Sequence, residues 1–128
     1  MKKKVMEKWV KALRSGRYKQ GRHALKYKTK AGVVRHCCLG VLCDLYQKEH
    51  KVKLRTDLNP GKDELKSCKV FLFDDNEAGL PDQVMKWSGI SSDDGVLYMD
   101  TQTLASMNDY GSDFNKIADI IEEEYKEL

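Results

Sequence analysis

The stretch "LKYKTKAGVVRHCCLGVLCDLY", residues 25–46, decides the fold. In its first part Leu25 and Tyr27 alternate with Lys26 and Lys28, the period of a half-buried strand. Thr29-Lys30-Ala31-Gly32 supplies a turn, and Val33–Cys37 (VVRHC) returns as a second strand, so the spacing predicts a β-hairpin. From Cys38 the period changes. Leu39, Val41, Leu42, Leu45 and Tyr46 suit a helix with much of its surface buried, ending near His50.

Residues 3–15 read as an amphipathic helix, because Val5, Met6, Trp9, Val10 and Leu13 recur at steps of three and four. Gly16 is its expected stop, and Arg17–Gly21 comes next as a loop. Residues 51–79 read as a mobile loop region: polar over 51–68, with a turn at Asn59-Pro60-Gly61 and one short strand, Lys69–Phe73. Pro81 suits the first turn of a short helix that carries Val84, Met85 and Trp87 and stops at Gly89. Ser91–Gly95 reads as a turn and Val96–Met99 as a strand or extended segment. Leu104, Ala105 and Met107 begin a short helix that closes around Asn108–Gly111. Ser112 is the expected cap of the last helix, whose apolar face is Phe114, Ile117, Ala118, Ile120 and Ile121. The expected fold class is α+β: one small domain over residues 1–128, about four helices and a small antiparallel β-sheet.

Charge is unevenly placed. Residues 1–64 hold 18 Lys and Arg against 6 Asp and Glu, a net +12; residues 65–128 hold 5 against 14, a net −9. The halves either neutralise each other by packing together or make the molecule a charge dipole. No apolar run approaches the roughly 18 residues that span a bilayer, so no membrane partner is expected. Met1-Lys2-Lys3-Lys4 resembles the start of a signal peptide, but Glu7, Lys8 and Lys11 interrupt the apolar run that such a peptide needs, and the chain reads as cytoplasmic. Cys37, Cys38, Cys43 and Cys68 have no metal-ligand spacing and read as reduced, mostly buried thiols. No metal or cofactor is expected.

The polar clusters carry the functional expectation. Thr103–Tyr125 has the outline of a helix–turn–helix, but its second helix carries Asp113, Asp119, Glu122, Glu123 and Glu124 and would repel a duplex. Duplex DNA is therefore not the expected partner. His36-Cys37-Cys38, with His23 across the hairpin, is the only arrangement suited to a cysteine nucleophile, and buried structural thiols explain it more simply. The segment Arg14–Lys28 is different. Arg14, Arg17, Lys19 and Arg22 surround Tyr18 and Gln20, and Gly16 and Gly21 let the backbone approach a ligand. Guanidinium forks match phosphate geometry, a tyrosine can stack on a base, and Gln20 can read a base edge. Asn108 and Asp109 are the candidate partners for the rest of that ligand. The competing readings are a solvated basic loop paired with the acidic half, and a simple helix end at Asn108-Asp109-Tyr110-Gly111.

Four ordered blocks, "LRSGRYKQGRHAL" (13–25), "CCLGVLCDLY" (37–46), "LPDQVMKWSGI" (80–90) and "LASMNDYGSDFNKIADIIEE" (104–123), resemble those of a family of small phage and prophage proteins. The resemblance covers most of the chain outside residues 50–79 and supplies no catalytic residues. It implies an accessory protein acting on a product or process of a bacterial host. Such proteins include sponges that sequester a nucleotide immune signal, such as a cyclic oligonucleotide or a relative of cyclic ADP-ribose. The expectation is thus a non-enzymatic, anti-defence protein of the host cytoplasm that binds a small anionic nucleotide. A homo-oligomer is the expected way for so small a chain to deepen its pocket. The rival readings are an inhibitor that binds a host protein and a binder of RNA or single-stranded DNA.

Overall fold

The computed structural model describes residues 1–97 and 101–128. The helices are α1 (Lys3–Arg14), α2 (Cys38–His50), α3 (Asp82–Ser88), α4 (Leu104–Asp109) and α5 (Phe114–Glu124). The strands are β1 (Lys26–Lys28), β2 (Val34–His36), β3 (Thr56–Pro60) and β4 (Lys69–Phe73). The strands form one antiparallel sheet in the order β2-β1-β4-β3, and the fold is α+β.

The hairpin lies where the alternation places it, with Lys26 opposite His36, Tyr27 opposite Arg35 and Lys28 opposite Val34. Gly32, at φ +85°, makes the turn. Cys37 then caps α2: its sulfur accepts from the Gly40 N–H at 3.4 Å, and Lys51 closes the helix in the left-handed conformation. Gly40 is obligatory, because a methyl group there would overlap the Leu25 carbonyl on which α2 rests.

The sheet has apolar residues on both faces. Phe73 and Phe71 point to the main core, made by α1, α2, α4 and α5 around Trp9, Leu39, Leu42, Leu104, Ile117 and Ile121. Tyr27 and Val70, paired across β1 and β4, point to the other side, where Ala24 and Leu65 cover them. The indole N–H of Trp9 donates to the Cys38 carbonyl at 2.9 Å and ties α1 to the start of α2.

Two expectations change. Residues 51–79 hold more than one strand: Thr56–Pro60 pairs along its whole length with β4, and Asp63–Leu65 is a 3-10 turn. Every residue of β3 is exposed, so the strand shows no apolar alternation, and β4 supplies the backbone partners that define it. The cap of α5 is Asp113, one residue later than expected; its carboxylate accepts from the Lys116 N–H at 2.8 Å. The segment expected at Val96–Met99 lies partly outside the described residues, and within them Val96 bridges Thr103.

Candidate functional site

The basic segment is pinned to the sheet rather than loose. Gln20 bridges His36 in parallel: the His36 N–H donates to the Lys19 carbonyl at 3.0 Å, and the Gly21 N–H donates to the His36 carbonyl at 2.7 Å. Residues 19–21 thus cover the outer edge of β2 and divide the surrounding surface into separate clefts.

A groove of about 650 Å³ lies between α1 and α2. Lys8, Lys11, Arg17 and Lys48 stand on its walls, and Ala12, Leu45 and Tyr18 make an apolar floor. Lys8 pairs with Glu49, which also accepts from the Trp87 indole, and Lys48 pairs with Asp44 at 3.0 Å. Among the described residues Lys11 and Arg17 have no carboxylate partner, so the groove keeps an excess of positive charge. The Tyr18 hydroxyl donates to Asp44 and accepts from Lys48 at 3.2 Å, while the Lys48 ammonium stands 5.4 Å from the centre of the Tyr18 ring. Burial, with the Asp44 bond, raises the Tyr18 hydroxyl above its ordinary pKa and keeps it protonated.

A second cleft, of about 460 Å³, opens on the other side of Arg17 and Tyr18 and is lined by Lys19, Val33, Val34 and His36. His36 meets Tyr18 edge to face, with ring centres 5.2 Å apart. Burial, helped by Lys26 and Lys48, lowers the His36 pKa to about 4, so the ring is neutral.

The remaining predicted site residues are placed elsewhere. Arg14 faces α5, where its guanidinium binds Asp119 at 2.6 Å and Glu122 at 3.2 Å. This is the pairing of basic and acidic halves that the charge pattern allows. Gln20 and Asn108 do come together, but in the interior: the Gln20 amide donates to Asn108 Oδ1 at 3.0 Å and to the Ser112 carbonyl at 2.8 Å. Asn108 is fully buried, also accepts from the Cys38 N–H and donates to the Gly21 carbonyl and Asp109. Its hydrogen-bonding capacity is filled within the protein. Asp109 accepts from the His23 N–H at 2.9 Å. Arg22 is exposed and lines a third cleft with His23, Tyr27, Arg35 and Glu64.

Lys8, Lys11 and Lys48 are the groove residues that the sequence did not single out. Lys8 and Lys11 are one turn apart on α1, and Lys48 stands one turn beyond Asp44 on α2, a local signal. Sequence spacing does not record the packing of α1 against α2 that sets them on one groove.

The three cysteines around the start of α2 offer no nucleophile. Cys37, Cys38 and Cys43 are buried, and burial pushes Cys37 up to about 12 and the other two well above the ordinary thiol range. Among the described residues no helix is long and apolar enough to cross a membrane. No curated protein and no solved structure matches this chain. A family model does match residues 1–125, and the chain belongs to that family, described as a domain of unknown function, DUF8296.

Proposed function

We propose that the protein binds a small, multiply anionic ligand of nucleotide type in the groove between α1 and α2. The observation that carries this reading is the joining of uncompensated positive charge at Lys11 and Arg17 to a floor of Tyr18, Leu45 and Ala12. Phosphates call for the first and a base or ribose for the second. A groove of about 650 Å³ falls within the range of small-molecule sites. Lys19, on the far side of the Arg17–Tyr18 ridge, extends the positive field. Asn108 is left out of the site because its polar atoms are already bonded. The resemblance to small phage proteins supports the biological half of the reading: sequestration of a nucleotide immune signal in the cytoplasm of a bacterial host.

The test is thermal stability of the purified protein against mononucleotides, cyclic dinucleotides, cyclic oligonucleotides and cyclic ADP-ribose. A ligand at 100 times its dissociation constant adds about 2.7 kcal/mol to stability. One compound is expected to raise the melting temperature, and Lys11→Ala with Arg17→Ala is expected to abolish that shift. Both side chains are exposed and lack ion-pair partners among the described residues, so the double variant keeps its fold. A flat response across the panel would overturn the reading and leave the basic face as a surface for a macromolecule.

A further inference from the structure

The third cleft, on the opposite side of the Gln20–Arg22 segment from the Tyr18 ridge, holds a different chemistry. It has a volume of about 430 Å³ and is lined by Arg22, His23, Tyr27, Arg35 and Glu64. Gly21 makes its wall thin: a methyl group there would come within 2.6 Å of the Tyr27 ring and 2.9 Å of Arg35 Cβ. Tyr27 and Arg35 are a cross-strand pair on β1 and β2, so the floor of the cleft is rigid sheet.

His23 is held there in an unusual way. Its φ is +71°, a left-handed conformation that a histidine adopts at a cost. Asp109 fixes its backbone: one carboxylate oxygen accepts from the His23 N–H at 2.9 Å, while the other lies 3.7 Å from Nδ1, beyond hydrogen-bond distance. The ring nitrogen left for the cleft is Nε2. Arg35 donates to the Gln20 carbonyl at 3.1 Å, which orients it. Arg22, Arg35 and Glu64 have no ion-pair partner among the described residues.

A histidine whose backbone is held by a carboxylate, a separate carboxylate, and two guanidinium groups in one cleft match the needs of transfer at a phosphodiester: an acid, a base and charge for the non-bridging oxygens. We propose that this cleft cleaves single-stranded RNA by internal transfer. Glu64 takes the proton of a ribose 2′-hydroxyl. The 2′-oxygen attacks the adjacent phosphorus, and the P–O2′ bond forms as the P–O5′ bond breaks. His23, protonated at Nε2, gives its proton to the leaving 5′-oxygen. The products are a 2′,3′-cyclic phosphate and a 5′-hydroxyl, and the step consumes no water, metal or redox equivalent. Arg22 and Arg35 stabilise the charge on phosphorus oxygens. Asp109 is a positioning residue.

The experiment incubates end-labelled single-stranded RNA with the full chain in excess EDTA, beside His23→Asn and Glu64→Gln. Asparagine tolerates a left-handed backbone, and Glu64 is exposed, so both variants are expected to fold, which circular dichroism checks. The expected result is fragments ending in 2′,3′-cyclic phosphate, with the rate falling at least about a hundredfold in each variant. DNA of the same sequence, lacking the 2′-hydroxyl, is not cut. RNA left intact by the wild-type chain, or equal cleavage by wild type and both folded variants, would overturn the proposal. The cleft shares no lining residue with the groove between α1 and α2, so cleavage, read on RNA ends, and nucleotide binding, read on melting temperature, stand or fall separately.

Discussion

Asn108 joins segments that are far apart in sequence: the Gln20–Gly21 turn, the first turn of α2 at Cys38, and the end of α4. An asparagine suits this place because it both donates and accepts. Asn108→Ala leaves the Cys38 N–H and the Gly21 carbonyl buried without partners, at a cost of about 2–4 kcal/mol. Asn108→Asp keeps the acceptors, loses the bond to Gly21 and buries a charge, so it is no rescue. Urea unfolding measures both, and a loss below about 1 kcal/mol in Asn108→Ala would contradict the role given to it. The same residue shows the reach of sequence reading at this scale. The sequence reading groups Gln20, Asn108 and Asp109 as polar partners of one ligand. Whether they face a ligand or one another depends on burial, which no spacing records.

At the scale of elements, pairing and burial are separate sources of stability, and β3 and β4 separate them. Leu58 is 54% exposed although its strand is paired throughout, whereas Phe73 is 2% exposed in the main core. Phe73→Ala is expected to cost about 3–5 kcal/mol and Leu58→Ala to stay within about 0.5 kcal/mol, compared by urea unfolding. A large loss in Leu58→Ala would mean that its strand is covered in solution. The contrast also explains which elements the sequence reveals. α1 and α5 each bury a stripe of apolar residues, α2 buries every residue from Cys38 to Cys43, and β4 is the apolar run KVFLF, so these elements are written in the chain. β3, with Thr56, Asp57 and Asn59 on an open edge, buries nothing and leaves no period. The groove between α1 and α2 is hidden for a related reason: each helix shows its own lysines, but their approach is a product of core packing at Trp9 and Cys38.

Across the whole molecule, the two oppositely charged halves share the sheet and the core but form few ion pairs. Arg14 with Asp119 and Glu122, Arg55 with Asp75, and His23 beside Asp109 are the ion pairs between them among the described residues. These are surface pairs or partly exposed, worth little each, so the fold depends on its core and the positive field of the first half stays available. Acid should therefore weaken the molecule chiefly through groups inside it. His36 is the clearest. It is 8% exposed, and Lys26 and Lys48 add to the effect of burial while Asp44 opposes it; the neighbouring Tyr18 ring is neutral. Its pKa of about 4 in the fold lies below the 6.5 of an ordinary histidine, so the unfolded chain binds the extra proton first. Stability from this residue is complete above about pH 6.5 and drains away as pH falls towards about 4. At about pH 5 the loss is about 2 kcal/mol. The carboxylates act later. Burial pushes Asp44 up, but the Tyr18 and Lys48 bonds outweigh it and hold the group below its ordinary 3.8, and the Lys8 bond likewise holds Glu49 below 4.5. Their contributions survive at about pH 5 and fade below it. Urea unfolding at about pH 7.5 and about pH 5 therefore isolates the histidine: the wild-type chain is expected to lose about 2 kcal/mol between them, and His36→Leu to lose much less. Equal losses in the two proteins would place the acid sensitivity elsewhere, and the neutral His36 ring would no longer account for it.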